Sequence, residues 1–144
     1  MTAKTSLTWL ENLTFNAEVD GFDLTLDSNY GFDAPLKGMR PKPLLLAALS
    51  GCSAMDAVSI LSKQKITDYK LKIDMEGDVS EEQPQIYHTI RMIFRFTGDS
   101  LPKEKVIRAV ELSITKYCAV YAMLNKAAKI ITQVFINNEE VWNA

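Results

Sequence analysis

Two cysteines, Cys52 in Leu-Ser-Gly-Cys-Ser-Ala-Met-Asp and Cys118 in Thr-Lys-Tyr-Cys-Ala-Val-Tyr, are the side chains in this sequence best suited to chemistry. Thiolate is the reactive form of cysteine, and its population depends on nearby charge and burial. Two thiols that meet can run a two-step redox cycle. One thiolate attacks the outer oxygen of a hydroperoxide and becomes a sulfenic acid. The other thiol condenses with it to a disulfide and water. An external dithiol then restores both by exchange. The competing reading makes both cysteines small, inert core residues, the usual fate of a buried thiol.

Cys52 has polar company. Cys52, Asp56, Ser59 and Lys63 fall on one face of the helix that this stretch should form, as a polar stripe on an otherwise apolar segment. A buried carboxylate is costly unless paired. Asp56 therefore needs either a polar cleft beside Cys52 or a backbone amide from a neighbouring loop. Lys37, Arg40 and Lys42 precede the helix, and any of them could promote a thiolate if the loop folds back. Arg40 stands out because a guanidinium can fork onto an anion. A helix starting just after Cys118 would favour thiolate there through its dipole.

Other chemistries find little support. The single histidine, His88, lies in strand alternation with apolar residues and reads as a core histidine. With one histidine and two distant cysteines, a Cys/His zinc site is not supported, and no metal site is expected. Glycine-rich phosphate loops, a nucleophile elbow and a dinucleotide fingerprint are missing from the sequence. Net charge is −2 with both signs interspersed, and no basic patch marks a nucleic-acid partner. The first residues lack an apolar signal core, which points away from secretion by that route and toward a reducing, cytoplasmic setting. Leu44 to Leu61 nears the length of a membrane span, but Asp56 and several serines within it favour a core helix.

The elements that must position the thiols follow from periodicity. Leu7 and Trp9, then Leu13, Phe15, Ala17 and Val19, then Phe22, Leu24 and Leu26 alternate as a meander, with Asp20-Gly21 as a hairpin turn. A long loop is expected over Asp27 to Pro43. A helix from about Pro43 to Lys63 is apolar nearly all round and should be buried on most of its circumference, which suggests a second subunit. Tyr69 to Met75 and Ile86 to Phe96 form a hairpin around a charged turn, Gly77 to Pro84. Val106, Ile107, Val110, Ile114 and Tyr117 make the apolar stripe of a second helix. A shorter helix, Ala119 to Ala128, and a strand, Ile130 to Ile136, complete the chain. The order β-β-β-α-β-β-α-α-β is that of an α+β protein with a mostly antiparallel sheet, in one domain over 1–144.

These residues resemble a known family. Pro41 through Leu61 resembles the central helix of the OsmC/Ohr proteins, the osmotically inducible and organic hydroperoxide resistance family. Arg108 through Cys118 is similar to the helix leading to that family's second cysteine. The element order agrees across nearly the whole chain, and Cys-Ser-Ala-Met-Asp with Lys-Tyr-Cys lies closest to the YhfA-like branch. The resemblance implies an intertwined homodimer with sheets wrapped around long central helices. It implies that Cys52 attacks an organic hydroperoxide, that Cys118 resolves, that an external dithiol is the reductant and that no cofactor is used. Peroxidase members hold the site with an Arg and a Glu near the attacking cysteine. The Glu positions fall on Lys42 and Pro43 here, so that Glu is missing. Arg40 or Lys42 is left to promote the thiolate, and Asp56 to substitute for the carboxylate. The departure keeps two alternatives open on the same scaffold: a non-catalytic dimer that binds a small molecule, and a redox sensor.

Overall fold

The computed structural model describes residues 1–31 and 33–144. It is an α+β structure with two sheets. β1 (Thr5–Glu11), β2 (Thr14–Val19) and β3 (Phe22–Leu26) form one sheet, antiparallel throughout. α1 (Pro41–Lys63) follows. β4 (Lys70–Val79) and β5 (Tyr87–Thr97) then pair antiparallel. α2 (Lys103–Leu112) runs into a π-helical turn, Ser113–Tyr117, and then α3 (Ala119–Leu124). β6 (Lys129–Ile136) and β7 (Glu139–Asn143) complete the second sheet, in the order β4-β5-β6-β7. The chain divides into two compact units, Met1–Leu45 and Leu46–Ala144, with the division inside α1.

In the first unit, Asp20 (φ 52°) and Gly21 (φ 80°) make the two-residue turn between β2 and β3. Positive φ at both positions matches the strand twist and explains the Asp-Gly pair. The loop after β3 ends at Arg40, where α1 begins slightly earlier than Pro43; Phe32, within that loop, lies outside the described residues. Asp27 organises the loop, its two carboxylate oxygens accepting the backbone N–H groups of Ser28 and Lys37, each at 2.7 Å.

α1 is rich in Leu and Ala, which are strong helix formers, and opens on Pro41, whose missing N–H is harmless in a first turn. It stops without a glycine. Lys65 takes the left-handed conformation (φ 60°), Ile66 N–H reaches Leu61 O at 3.0 Å, and Lys65 N–H reaches Ser62 O at 2.9 Å. This is a Schellman closure of the last turn. Leu49, Ser53, Ala57 and Leu61, each four residues after the last, are the α1 residues buried within the chain. The expected burial on most of the circumference is therefore not met by a single chain. Met55 is 75% exposed, and Leu45 and Val58 are also exposed. α1 is long and apolar enough to span a bilayer by length and composition. The core helix of a soluble protein meets the same test.

The second unit's core gathers Leu49, Ala57 and Leu61 of α1 with Ile90, Met92, Phe94 and Phe96 of β5, Val106, Ala109 and Val110 of α2, and Val134 of β6. The strand pairs are mostly antiparallel, as expected, with one exception, and two other expectations change. β5 and β6 pair in parallel, because the α2–α3 crossover carries the chain back before β6 starts. Gly77–Val79 continue β4 instead of turning; a Cβ on Gly77 would sit 2.6 Å from the Tyr87 ring, so a glycine suits this strand position. His88 shares the parity of the core positions yet is exposed near the start of β5, its Nδ1 3.0 Å from Thr89 Oγ1. It is not a core residue.

On the other face of the β4–β5 pair, Arg95 Nε donates to Asp74 Oδ2 and Arg91 Nη2 to Asp78 Oδ2, each at 2.7 Å. Arg95, with Lys72 adding to it, holds the Asp74 carboxyl below the usual range, and Arg91 does the same for Asp78. A depressed carboxylate stabilises the fold above its unfolded pKa, and that stabilisation is lost as pH falls through the folded value. Urea midpoints should be level near neutral pH and fall on acidification below about pH 4. Asp74→Asn with Asp78→Asn should flatten that acid limb; an unchanged slope in the double variant would contradict it.

Candidate functional site

The two thiols meet. Cys52 Sγ, Cys118 Sγ and a carboxylate oxygen of Asp56 all lie within 4.8 Å of one another. Each comes from a different local device. Cys52 and Asp56 stand one turn apart on α1, so regular helix geometry stacks them on one face. Cys118 arrives through the π-helical turn, whose wider ring is closed by Cys118 N–H donating to Ser113 O at 2.8 Å. Such turns recur at functional sites because they re-aim the residues that follow. Cys118 then leaves helical geometry (φ −72°, ψ 103°) and caps α3.

Ser53 Oγ donates to Cys118 Sγ at 3.2 Å, and Tyr121 N–H donates to the same sulfur at 3.3 Å. The Ser113 hydroxyl lies 3.1 Å from Ser53 O and 3.2 Å from Asp56 Oδ2. Its single proton serves one of these acceptors at a time. Both serines are fully buried, Cys118 is 3% exposed, and Cys52 and Asp56 are half-buried. Burial pushes the Cys118 thiol up, against the two donated hydrogen bonds that favour its thiolate. Burial, with the Cys118 charge adding to it, also pushes up the Tyr121 phenol.

Asp56 opens onto a cavity of about 390 Å³, walled by Ser59, Ile60 and Lys63 of α1 and by Leu112 and Tyr117 opposite. Asp56, Ser59 and Lys63 of the polar stripe expected on α1 thus line a real cleft, while Cys52 is not part of its wall, and the Asp56 partner is a serine hydroxyl instead of a loop amide. Tyr117 departs from the expected apolar stripe: the π-helical turn takes it out of α-helical phase, and it becomes an exposed wall of the cavity. Arg40 is exposed and belongs to the first unit, while Lys42 is half-buried. Ser53, Ser113 and Tyr121 are the site residues that sequence reasoning missed. Ser53 neighbours Cys52 in the motif, so it offered a signal; Ser113 offered none short of the tertiary contact.

This fold and site define an α+β protein with a paired-thiol centre beside a cleft. The chain belongs to the OsmC family: the family model described as OsmC-like protein matches residues 33–133, across the division between the two units. It is 42% identical over 125 residues to Protein YhfA of Escherichia coli (strain K12), covering 85% of this chain and 89% of that one. A hypothetical protein from Aquifex aeolicus VF5 has a similar structure, with a TM-score of 0.80 at 27% identity over 95% of this chain and 98% of that chain. An organic hydroperoxide resistance protein OsmC from Legionella pneumophila has the same fold, with a TM-score of 0.66 at 12% identity over 93% and 96% of the two chains.

Ser113 ties α1 to the π-helical turn, so its loss should be felt as stability. Ser113→Ala should cost about 1–3 kcal/mol, the range for removing one partner of a buried hydrogen bond. A lower urea midpoint at unchanged slope would report it; an unchanged midpoint would contradict the contact.

Proposed function

We propose that the chain is a two-cysteine thiol peroxidase that reduces organic hydroperoxides, with Cys52 attacking and Cys118 resolving. The observation that carries this reading is the approach of the two sulfurs to within 4.8 Å, one half-buried and one buried. The Cys52 thiolate attacks the outer oxygen of the hydroperoxide. The O–O bond breaks, the alcohol leaves after taking a proton from water in the cleft, and Cys52 becomes a sulfenic acid. The Cys118 sulfur attacks the Cys52 sulfur, the S–O bond breaks, and the hydroxyl departs as water with the Cys118 proton. An external dithiol is oxidised as it reduces the disulfide, by way of a mixed disulfide. Closing from this separation to a bond of about 2.05 Å requires a modest side-chain movement.

Asp56 takes the place of the missing carboxylate in this reading, oriented by Ser113, and Ile60, Leu112 and Tyr117 offer an apolar wall for the organic group. The shared fold of an organic hydroperoxide resistance protein from Legionella pneumophila supports the substrate class. No cofactor enters, and the cytoplasm supplies the reductant. Lys42 and Pro43 at the start of α1 favour a second reading, in which the same thiols sense oxidants or the cleft binds a small molecule without turnover.

The functional unit is a homodimer carrying one family domain per chain. The exposed apolar residues Met55 and Val58 on α1 support that state, since burying such side chains is worth about 1.5–3 kcal/mol each.

Reduced protein treated with one equivalent of cumene hydroperoxide should lose both thiols. Cys52→Ser should keep its remaining thiol and reduce peroxide no faster than background, and Cys118→Ser should hold a sulfenic acid that dimedone traps. Persistence of both thiols in the wild-type chain would refute the peroxidase. Sedimentation velocity should find two chains per particle, and one for Met55→Asp with Val58→Asp; a wild-type monomer would refute the dimer.

A further inference from the structure

The same three groups that crowd one another in the reduced chain have the makings of a metal centre. Two sulfurs and a carboxylate oxygen within 4.8 Å of one another come close to the ligand spacing of a tetrahedral ion. Zinc binds thiolate at about 2.3 Å and carboxylate at about 2.0–2.2 Å, so its sulfur ligands stand about 3.8 Å apart. The gap to be closed between the sulfurs is therefore at most about 1 Å, within the reach of the half-buried Cys52 and Asp56 side chains. Thiolates select borderline and soft ions, whereas magnesium and calcium call for sites built from oxygen.

The surroundings are also those of a held ligand set. The Cys118 sulfur is aimed by Ser53 Oγ and by the Tyr121 N–H, and Asp56 is aimed by Ser113. Hydrogen-bonded groups behind the ligands fix their direction and add to affinity. Three protein ligands leave a fourth position, and Asp56 faces the cavity through which water or an exogenous thiol can reach it. His88, the single imidazole in the sequence, plays no part, which is why ligand spacing in the sequence gives no sign of the centre.

We propose that the reduced chain binds one zinc ion, or a similar borderline-soft divalent cation, through Cys52, Cys118 and Asp56, with a fourth ligand taken from the cleft. Binding replaces two thiol protons with the metal. No electron moves, and the protons go to solvent. A Cys52–Cys118 disulfide removes both sulfur ligands, so metal occupancy and disulfide formation exclude one another. Metal would hold the thiols out of reach of oxidants, and oxidation would release it. The site requires only that the thiols be reduced, and it does not depend on peroxidase activity.

Cobalt(II) is the direct probe, because thiolate coordination adds an intense near-ultraviolet charge-transfer band and tetrahedral geometry strengthens the visible bands. Titration of the reduced chain, stripped of metal, should give both signals, saturating at one ion per chain, and zinc should displace cobalt. Cys52→Ser and Cys118→Ser should each lose most of the charge-transfer intensity. Asp56→Asn, which leaves both sulfurs in place, should weaken binding at least about tenfold. Chain oxidised with diamide should not bind. A wild-type spectrum without charge transfer, saturation at half an ion per chain, or equal affinity after oxidation would overturn the proposal. Circular dichroism of the variants separates a lost ligand from a lost fold, and the wild-type spectrum with its stoichiometry decides the question if a variant does not fold. Thiols that survive cumene hydroperoxide would defeat the peroxidase and leave this spectrum unchanged.

Discussion

The paired-thiol centre depends on one hydrogen bond that an ordinary α-helix does not make. Cys118 N–H closes onto Ser113 O across a π-helical ring, and that ring ends α2 with the sulfur turned back toward α1. Regular α-helical continuation would keep Cys118 on the rotation set by Val106 and Val110. The turn is held at both ends by buried groups: Ser113 bonds to α1 at its start, and Cys118 accepts from Ser53 at its end. Small side chains make this possible, since Ser53, Ala57 and Ser113 leave room for the close approach.

The same packing sets the chemical character of the site. Cys118 sits where water has little access, and its thiol is pushed up by burial. Cys52 is half-buried, one helical turn from Asp56, and it is Asp56 that lines the cleft. The two sulfurs are therefore inequivalent although they are neighbours. Inequivalence suits a division of labour between an accessible thiol and a sheltered one, and the polar groups around them hold the sulfurs together without a covalent bond. The proposed redox chemistry and the proposed metal centre both draw on this one feature, and a disulfide would mark the boundary between them.

Much of this was legible from local pattern. The Asp20-Gly21 turn, the alternating face of Ile90, Met92, Phe94 and Phe96, and the stripe from Cys52 to Lys63 are all fixed by short-range periodicity. β7 went unread because its apolar signal is brief, only Val141 and Trp142. The Asn137-Asn138 pair, with φ of 49° and 67°, is a hairpin turn that could have revealed it. The Schellman closure at Lys65 lacks the usual glycine, and Gly77, a turn signal in the sequence, sits within β4 and makes room for an aromatic ring. The π-helical turn was invisible because Ser-Ile-Thr-Lys-Tyr continues a helical pattern; its cause is the tertiary contact of Ser113 with α1. The two cysteines stand out by residue type and the family resemblance implies that they meet, but Ser113, which aims Asp56, follows only from packing.

The proximity of the two sulfurs is tested most directly by equilibrating the reduced chain with oxidised glutathione and reading its intact mass after acid quench. Thiols within 4.8 Å of one another have a high effective concentration. A mixed disulfide formed at Cys52 should then be displaced by Cys118, leaving a chain lighter by two hydrogens and free of glutathione, with peptide mapping joining Cys52 to Cys118. Chains that accumulate glutathione on one or both cysteines, with no internal bridge, would contradict the shared site on which both the peroxidase reading and the metal centre stand.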